Sequence, residues 1–390
     1  MDGRAPAAAS PPSFASATNR RQRARAAGLD PNYWYPVEYD RAVRPGQVVE
    51  VVFWNTSLAL YRGSDGELRV LENRCAHRQL PLTLGEVDGC HLACPYHGWT
   101  YDGQGRLVGI PHDLFGRPMP SLAIGSYPVK VRYGLIWVFP GDPARARERS
   151  IPDIPELEGE GRWACAPVDF TWRAHHSIII DNVSDFTHAH LHRKYRPFED
   201  STLTLGETLG DRVFMRYQTK VAMGRLSQRF VDRKRVDTTS MELCYDYPYQ
   251  WSNTGTKIKH WCFPLPIDER TTRVFFLFYF ESLKIPFLPW RIPRALMTLV
   301  LRIANRVLIA PLLRQDGFAV EAEQRAWEIH HDAPVPELNP VIGLFHQLTA
   351  RKWEEHLAGR GRRGQQSQEP VGEAQSLSAR RSDPASRLSE

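Results

Sequence analysis

From Tyr33 onward the chain alternates between short runs of β-forming residues and polar turns, and then its period changes. Gln47–Phe53 and Leu58–Tyr61 are β-rich, separated by Asn55-Thr56-Ser57, and Gly63-Ser64-Asp65-Gly66 turns the chain into Leu68-Arg69-Val70-Leu71. Gly98–Tyr101, a turn at Asp102-Gly103 and a run from Val129 to Phe139 continue the pattern. Short strands at this spacing predict a small antiparallel β domain over residues 30–145. The period becomes helical from Asp181 to Tyr195 and returns to long β runs over 203–282. The run Val274–Phe280 is apolar throughout, as in a strand buried on both faces. Helix resumes at Ile292, breaks at Pro311, restarts near Gln315 and recurs from Val341 to Leu357. The class is α+β, with a second domain over 146–358. Residues 1–29 and 359–390 carry no apolar period and read as disordered ends.

Composition narrows this little. A chain of 390 residues with 42% hydrophobic content and 11 tryptophans is globular, with room for two or three domains. The net charge is 50 − 44 = +6, and the cations are scattered, so no nucleic-acid footprint is present. Beyond Cys75 and Cys94, the cysteines Cys90, Cys165, Cys244 and Cys262 are few and widely spaced. They read as reduced thiols of a cytoplasmic protein. No secretory apolar stretch precedes the first domain, and none follows Arg20-Arg21, which excludes a twin-arginine signal. The acid-poor run Arg20, Arg21, Arg23 and Arg25 leaves organellar targeting as the other reading.

The chemistry is concentrated in two places. The first is Cys75-Ala76-His77, followed after sixteen residues by Cys94-Pro95-Tyr96-His97. Each half mixes one Cys with one His and sits among turn residues, as two loops clasping a [2Fe-2S] cluster require. In a Rieske centre two thiolates hold one iron and two imidazoles the other, which raises the potential. The competing reading is zinc, but finger-type sites pair Cys with Cys and His with His. The second place is Asp181–His192, with three histidines and two aspartates in twelve residues. On an α-helix His188 and His192 project from one face, one turn apart. Two imidazoles and a carboxylate form the facial triad of non-haem Fe(II). Asp185 lies on the same face, placed to accept a ring N–H of His188.

Together these motifs resemble the oxygenase component of Rieske non-haem iron oxygenases, the superfamily of aromatic-ring hydroxylating dioxygenases, over about residues 30–357. The resemblance rests on Cys75, His77, Cys94, His97, the Asn182-x-x-Asp185-x-x-His188 run and a later carboxylate. It implies an N-terminal Rieske antiparallel β domain followed by a helix-grip catalytic domain, in a homotrimer. It also implies that Cys75, His77, Cys94 and His97 hold the cluster and that His188, His192 and Asp316 hold the mononuclear iron. Asp185 would be the catalytic bridge that carries an electron from His97 of one subunit to His188 of the next. Glu321, Glu323 and Asp332 are alternatives to Asp316. The family separates its iron histidines by four residues and this chain by three, so His190 is the alternative to His192. The extra cysteines of respiratory Rieske proteins are absent, since Leu80 and Tyr96 occupy those positions.

No G-x-G-x-x-G follows a strand, so electrons must come from a separate ferredoxin or flavin reductase. The expected reaction is O2-dependent hydroxylation, dealkylation or oxidative cyclisation of a lipophilic small molecule, a secondary metabolite in the favoured reading. Met215, Tyr217, Tyr245, Tyr247, Tyr249, Trp251, Trp261, Phe263, Phe276, Phe278 and Phe280 are the candidate pocket and core residues. A non-enzymatic alternative is a Rieske electron-transfer domain fused to a lipid-binding helix-grip domain. Leu283–Leu313 is apolar but interrupted by Lys284, Arg291, Arg294, Arg302 and Arg306. It reads as an amphipathic helix that caps the catalytic domain, or contacts a membrane surface through 291–313, not as a spanning helix.

Overall fold

The computed structural model describes residues 10–158, 163–193, 195, 198–221, 239–254, 258–283 and 291–366. Residues 1–9 and 367–390 of the expected disordered ends, and Lys284, lie outside them.

Three small antiparallel sheets form the N-terminal part. One runs in the order Tyr35–Tyr39, Leu135–Val138, Val129–Arg132, and a second Val48–Phe53, Thr56–Arg62, Leu68–Glu72, Ser126–Tyr127. The third, which carries the cluster motif, is Glu86–Asp88, His91–Ala93, Thr100–Tyr101, Leu107–Gly109. The run read as one strand at Val129–Phe139 is a hairpin. Tyr133 (φ 56°) and Gly134 (φ 74°) are both left-handed, as a tight two-residue turn requires.

The larger sheet has seven antiparallel strands in the order Trp163–Trp172, Thr272–Glu281, Ile258–Pro266, Tyr249–Thr254, Thr239–Asp246, Arg212–Val221, Phe198–Leu209. Its long β runs coincide with the apolar segments of the sequence. Thr272–Glu281 is buried on both faces as its composition predicts. Phe275 and Leu277 enter the main core, while Val274 and Phe276 enter a second core on the opposite side. Met215, Tyr217, Tyr245, Tyr247, Tyr249 and Phe263 all lie in the main core, so these six candidate pocket residues are structural.

Among the described residues there are six α-helices: α1 (Arg20–Ala26), α2 (Pro155–Glu158), α3 (His176–Ser184), α4 (Arg294–Ala304), α5 (Ala310–His330) and α6 (Pro340–Gln366). Val341, Ile342, Phe345 and Leu348 of α6 enter the main core beside Tyr245 and Tyr217. The helix begun at residue 340 continues past 359, where the disordered tail was expected to start.

Two further expectations fail for identifiable reasons. Pro311 does not break the helix. A π-helical turn at Asn305–Ile309 joins α4 to α5, and its wider ring moves aside the carbonyl that the proline would strike. The first 29 residues are not wholly disordered either. Asn19 caps α1 by accepting from the Gln22 N–H, and the helical period turns Gln22, Ala24 and Arg25 inward. Gln22 Nε2 donates to the His331 carbonyl at 3.4 Å and to Asp332 Oδ1 at 3.2 Å, and Arg21 lies over the Trp327 ring. An arginine run that looks solvated in sequence is thus anchored by one of its members.

That member is Arg25. Its guanidinium, with 2% of the side chain exposed, bonds Asp181 Oδ2 of α3 at 2.7 Å, Glu323 Oε1 of α5 at 2.8 Å and Ser177 Oγ at 2.8 Å. His346 of α6 approaches the same Asp181 oxygen at 2.8 Å. Burial alone would raise the Asp181 carboxyl, yet the His346 ring and Arg25 hold it below the usual carboxylate range. Arg25→Met strips a buried carboxylate of its guanidinium, and we expect a loss of about 3 kcal/mol or more, measured by denaturant unfolding.

A second expectation concerns pH. Burial pushes both His176 and His260 down from 6.5 to about 4. A histidine kept neutral by the fold binds fewer protons folded than unfolded. The stability it contributes is therefore complete above pH 6.5 and lost as pH falls towards 4. Each contributes about 3 kcal/mol to that loss. Thermal melts should show a falling midpoint across this window, and His260→Gln should flatten the slope.

Candidate metal centres

The two cluster loops share one construction. Cys75 N–H donates to the Leu80 carbonyl at 2.8 Å and Gln79 N–H to the Cys75 carbonyl at 2.9 Å. Nineteen residues on, Cys94 N–H donates to the Trp99 carbonyl at 2.9 Å and Gly98 N–H to the Cys94 carbonyl at 3.1 Å. Gln79 and Gly98 occupy the same place in each loop and both have φ 66°. At Gly98 a Cβ would also come within 2.5 Å of Pro111 Cγ, so glycine is required there twice over. Cys75 and Cys94 are buried, and Tyr101 Oη lies 3.3 Å from Cys75 Sγ while accepting from the Ala76 N–H at 3.0 Å. The His77 and His97 rings are 4.6 Å apart, and Trp99 stacks on His77 at 4.7 Å. Nδ1 of both histidines is buried without a hydrogen-bond partner. Two orphaned ring nitrogens and two buried thiols on the same pair of loops fit a metal cluster, since an unpaired buried nitrogen is otherwise costly.

The second centre is assembled from two distant segments. Helix α3 ends at Ser184, and Asp185 turns extended (φ −98°, ψ 104°), its N–H closing on the Asp181 and Asn182 carbonyls. After this break His188–His192 forms a 3₁₀ turn, not the continuous α-helix read from the sequence. Both rings still converge on one atom. His192 Nε2 is 3.2 Å and His188 Nε2 3.5 Å from Asp316 Oδ1. One donor atom from each residue lies within 4.8 Å of the others, as a single ion requires. His192 and Asp316 are buried, whereas His190 is exposed, which separates His192 from its alternative.

The other carboxylates are engaged elsewhere. Glu321 accepts from the Arg173 N–H, Glu323 pairs with Arg25, and Asp332 lies beside His331 and Gln22. Burial would raise the Asp316 carboxyl, but bonds from His188 and His192 hold it low, and Asp316 and Gln315 together raise His192 despite its desolvation. Gly317 positions the helix, because a Cβ there would meet Trp172 Nε1 at 2.5 Å. Phe186 and Phe198 pack beside the His188 ring, and Phe198 also beside His192.

One participant escaped the sequence reading. Gln315 Oε1 lies 2.9 Å from His192 Nδ1 and orients that ring from behind. Only its adjacency to Asp316 could have signalled it. Asp185, in turn, does not pair with His188. Its Oδ1 accepts from Thr187 N at 2.9 Å, Thr187 Oγ1 at 2.7 Å and Asn339 Nδ2 at 2.9 Å.

Comparison with known proteins matches both parts of the chain to known families. The Rieske [2Fe-2S] domain family matches residues 33–116 and the vanillate O-demethylase oxygenase C-terminal domain family residues 172–360. The chain is 44% identical to the 4β-methylsterol monooxygenase of Methylococcus capsulatus over 347 residues, covering 88% of this chain and 94% of that protein. It belongs to the Rieske non-haem iron oxygenases. The oxygenase component of dicamba O-demethylase from Stenotrophomonas maltophilia is 37% identical over 168 residues, covering 42% of this chain and 47% of that one. The crystal structure of dicamba monooxygenase bound to dicamba superposes with a TM-score of 0.67 at 21% identity, over 86% of this chain and all of that one.

The chain is therefore an enzyme, the oxygenase component of such a system. It uses a Rieske [2Fe-2S] cluster and mononuclear non-haem iron, and a separate reductase or ferredoxin supplies its electrons. The non-catalytic lipid-binding alternative falls with this finding.

Proposed function

We propose that this oxygenase hydroxylates a methyl group on a sterol-like polycycle, with the cluster held by Cys75, His77, Cys94 and His97 and the iron by His188, His192 and Asp316. The observation that carries the substrate class is the 44% identity along nearly the whole length of a methylsterol monooxygenase. The aromatic face of the large sheet supports it. Phe276, Phe278 and Phe280 lie on the sheet face covered by α3 and by the end of α4 through α5, and His260 packs on Phe276 and Phe278. An aromatic wall of this kind suits a large apolar substrate over a small carboxylated one. Among hydroxylation, dealkylation and oxidative cyclisation, this relative favours hydroxylation of a methyl group.

The bound iron supplies O2 activation and the cluster the second electron. The protein's own work is positional. His188 and His192 would offer Nε2 to the metal, Gln315 fixes the His192 ring, and Phe186 and Phe198 pack beside the imidazoles. Asp185 is the bridging residue between subunits of a homotrimer. Tyr96 and Phe115, exposed around the cluster loops, support such a contact, and among the described residues nothing in the same chain bonds Asp185 Oδ2. A cytoplasmic setting is consistent with six cysteines of which none forms a disulfide.

Two measurements test this. With a surrogate reductase and labelled O2, a C4-methylated sterol should gain one labelled oxygen atom by mass analysis. Asp316→Ala should abolish that gain while leaving the cluster spectrum intact. Release of formaldehyde from methoxylated aromatics, with sterols inert, would replace the sterol reading. Separately, Gln315→Leu removes the acceptor behind His192. Chelator competition should show mononuclear iron bound about 10–100-fold more weakly, with the [2Fe-2S] absorption unchanged.

A further inference from the structure

Between Arg291 and Gln315 the chain carries five arginines and no acidic residue. Helix α4 and the π turn after it divide this segment into two faces. Met297, Leu301, Asn305 and Ile309 are buried, with Met297 and Leu301 packed on Ala164 and Ala166 of the strand Trp163–Trp172. Asn305 Nδ2 donates to the Ala166 carbonyl at 2.9 Å, which ties the helix to that strand. The opposite face is apolar and open to solvent: Leu296 is 51% exposed, Leu299 50%, Ile303 58% and Val307 56%. Arg302 and Arg306 are exposed one turn apart along its edge, and among the described residues no carboxylate pairs with either.

We propose that this face of α4 docks on an anionic membrane surface, with the helix axis in the plane of the membrane. The proposal deepens the sterol reading, because a membrane is where a sterol-like substrate resides, but it stands on separate observations. The charge decides the occupant. A second copy of the same face would bring Arg302 and Arg306 against their counterparts, whereas anionic headgroups attract both while the aliphatic stripe enters the acyl boundary. By length and composition the joined helix Arg294–His330 could cross a bilayer. It is held out of that arrangement by the buried half of its surface, by the Asn305 tie and by Asp316, which faces the metal centre.

Flotation of the full-length, metal-loaded protein with vesicles of phosphatidylcholine, with and without phosphatidylglycerol, tests this without substrate. The protein should float with the anionic vesicles alone and be released by salt. The pair Leu299→Gln and Ile303→Gln should weaken binding at least about tenfold, and the pair Arg302→Gln and Arg306→Gln by roughly tenfold or more. All four side chains are exposed, so both variants should keep their iron content and sedimentation. Failure of the parent protein to float, or equal flotation of both variants, overturns the proposal. So does dissociation of the assembly in the apolar variant, which would assign the face to a second copy. Because no sterol is present, failure here leaves the sterol reading intact, and a failed sterol assay leaves the docking result intact.

Discussion

A single buried guanidinium ties together the segments that carry the candidate iron ligands. Arg25 joins α1 to Asp181 on α3 and to Glu323 on α5, and His346 adds α6 through the same Asp181 oxygen. Asp181 precedes Asp185 by one turn, and Glu323 follows Asp316 by two. Apolar contacts between helices tolerate small slips, since one aliphatic neighbour replaces another at similar energy. A buried charge does not, because any slip leaves an ion unpaired in a low-dielectric interior. In this fold the ion pair falls where slippage would misplace His188, His192 and Asp316 relative to one another. Gly317 acts in the same direction by letting α5 approach Trp172 closely.

The cluster loops solve a different problem. Their candidate ligands must be fixed without a rigid element beneath them, and the strands that flank the second loop are only two or three residues long. Repeated backbone closures, with a left-handed residue at the fifth place of each loop, supply that rigidity locally. Tyr101 adds a hydroxyl at Cys75 Sγ from the strand between the loops and the next turn. Hydrogen bonds to cluster sulfur stabilise added negative charge, so with a cluster held at Cys75 this contact would favour the reduced state.

The cluster motif was legible because its information is local: four candidate ligands within twenty-three residues, each spaced by turn residues. The apolar strand Val274–Phe280 was legible for the same reason. The carboxylate was only partly so, since Asp316, Glu321, Glu323 and Asp332 lie on one acidic stretch and differ in what they face. Arg173, Arg25 and His331 claim the other three, and none of those contacts has a sequence signature. The Arg25 anchor was invisible. Four arginines in six residues look alike until a helix places one of them inside. Among the aromatic candidates, sequence alone could not divide the two faces of a sheet that is buried on both.

The spacing of the candidate iron histidines illustrates why the local break matters more than the count. A three-residue gap on an unbroken α-helix would keep both rings on the α3 face, in line with Asp185. The chain instead leaves the helix at Asp185 and tightens into a 3₁₀ turn, so the rings swing towards α5. That break has its own support. Asn339 caps the start of α6 and donates to both Asp185 Oδ1 and Tyr217 Oη, while Tyr217 Oη donates to the Ser184 carbonyl at 3.3 Å. The turn that presents the histidines is thus held by a residue about 150 positions later. Its side-chain amide, not an interaction with His188, sets where the Asp185 carboxylate points.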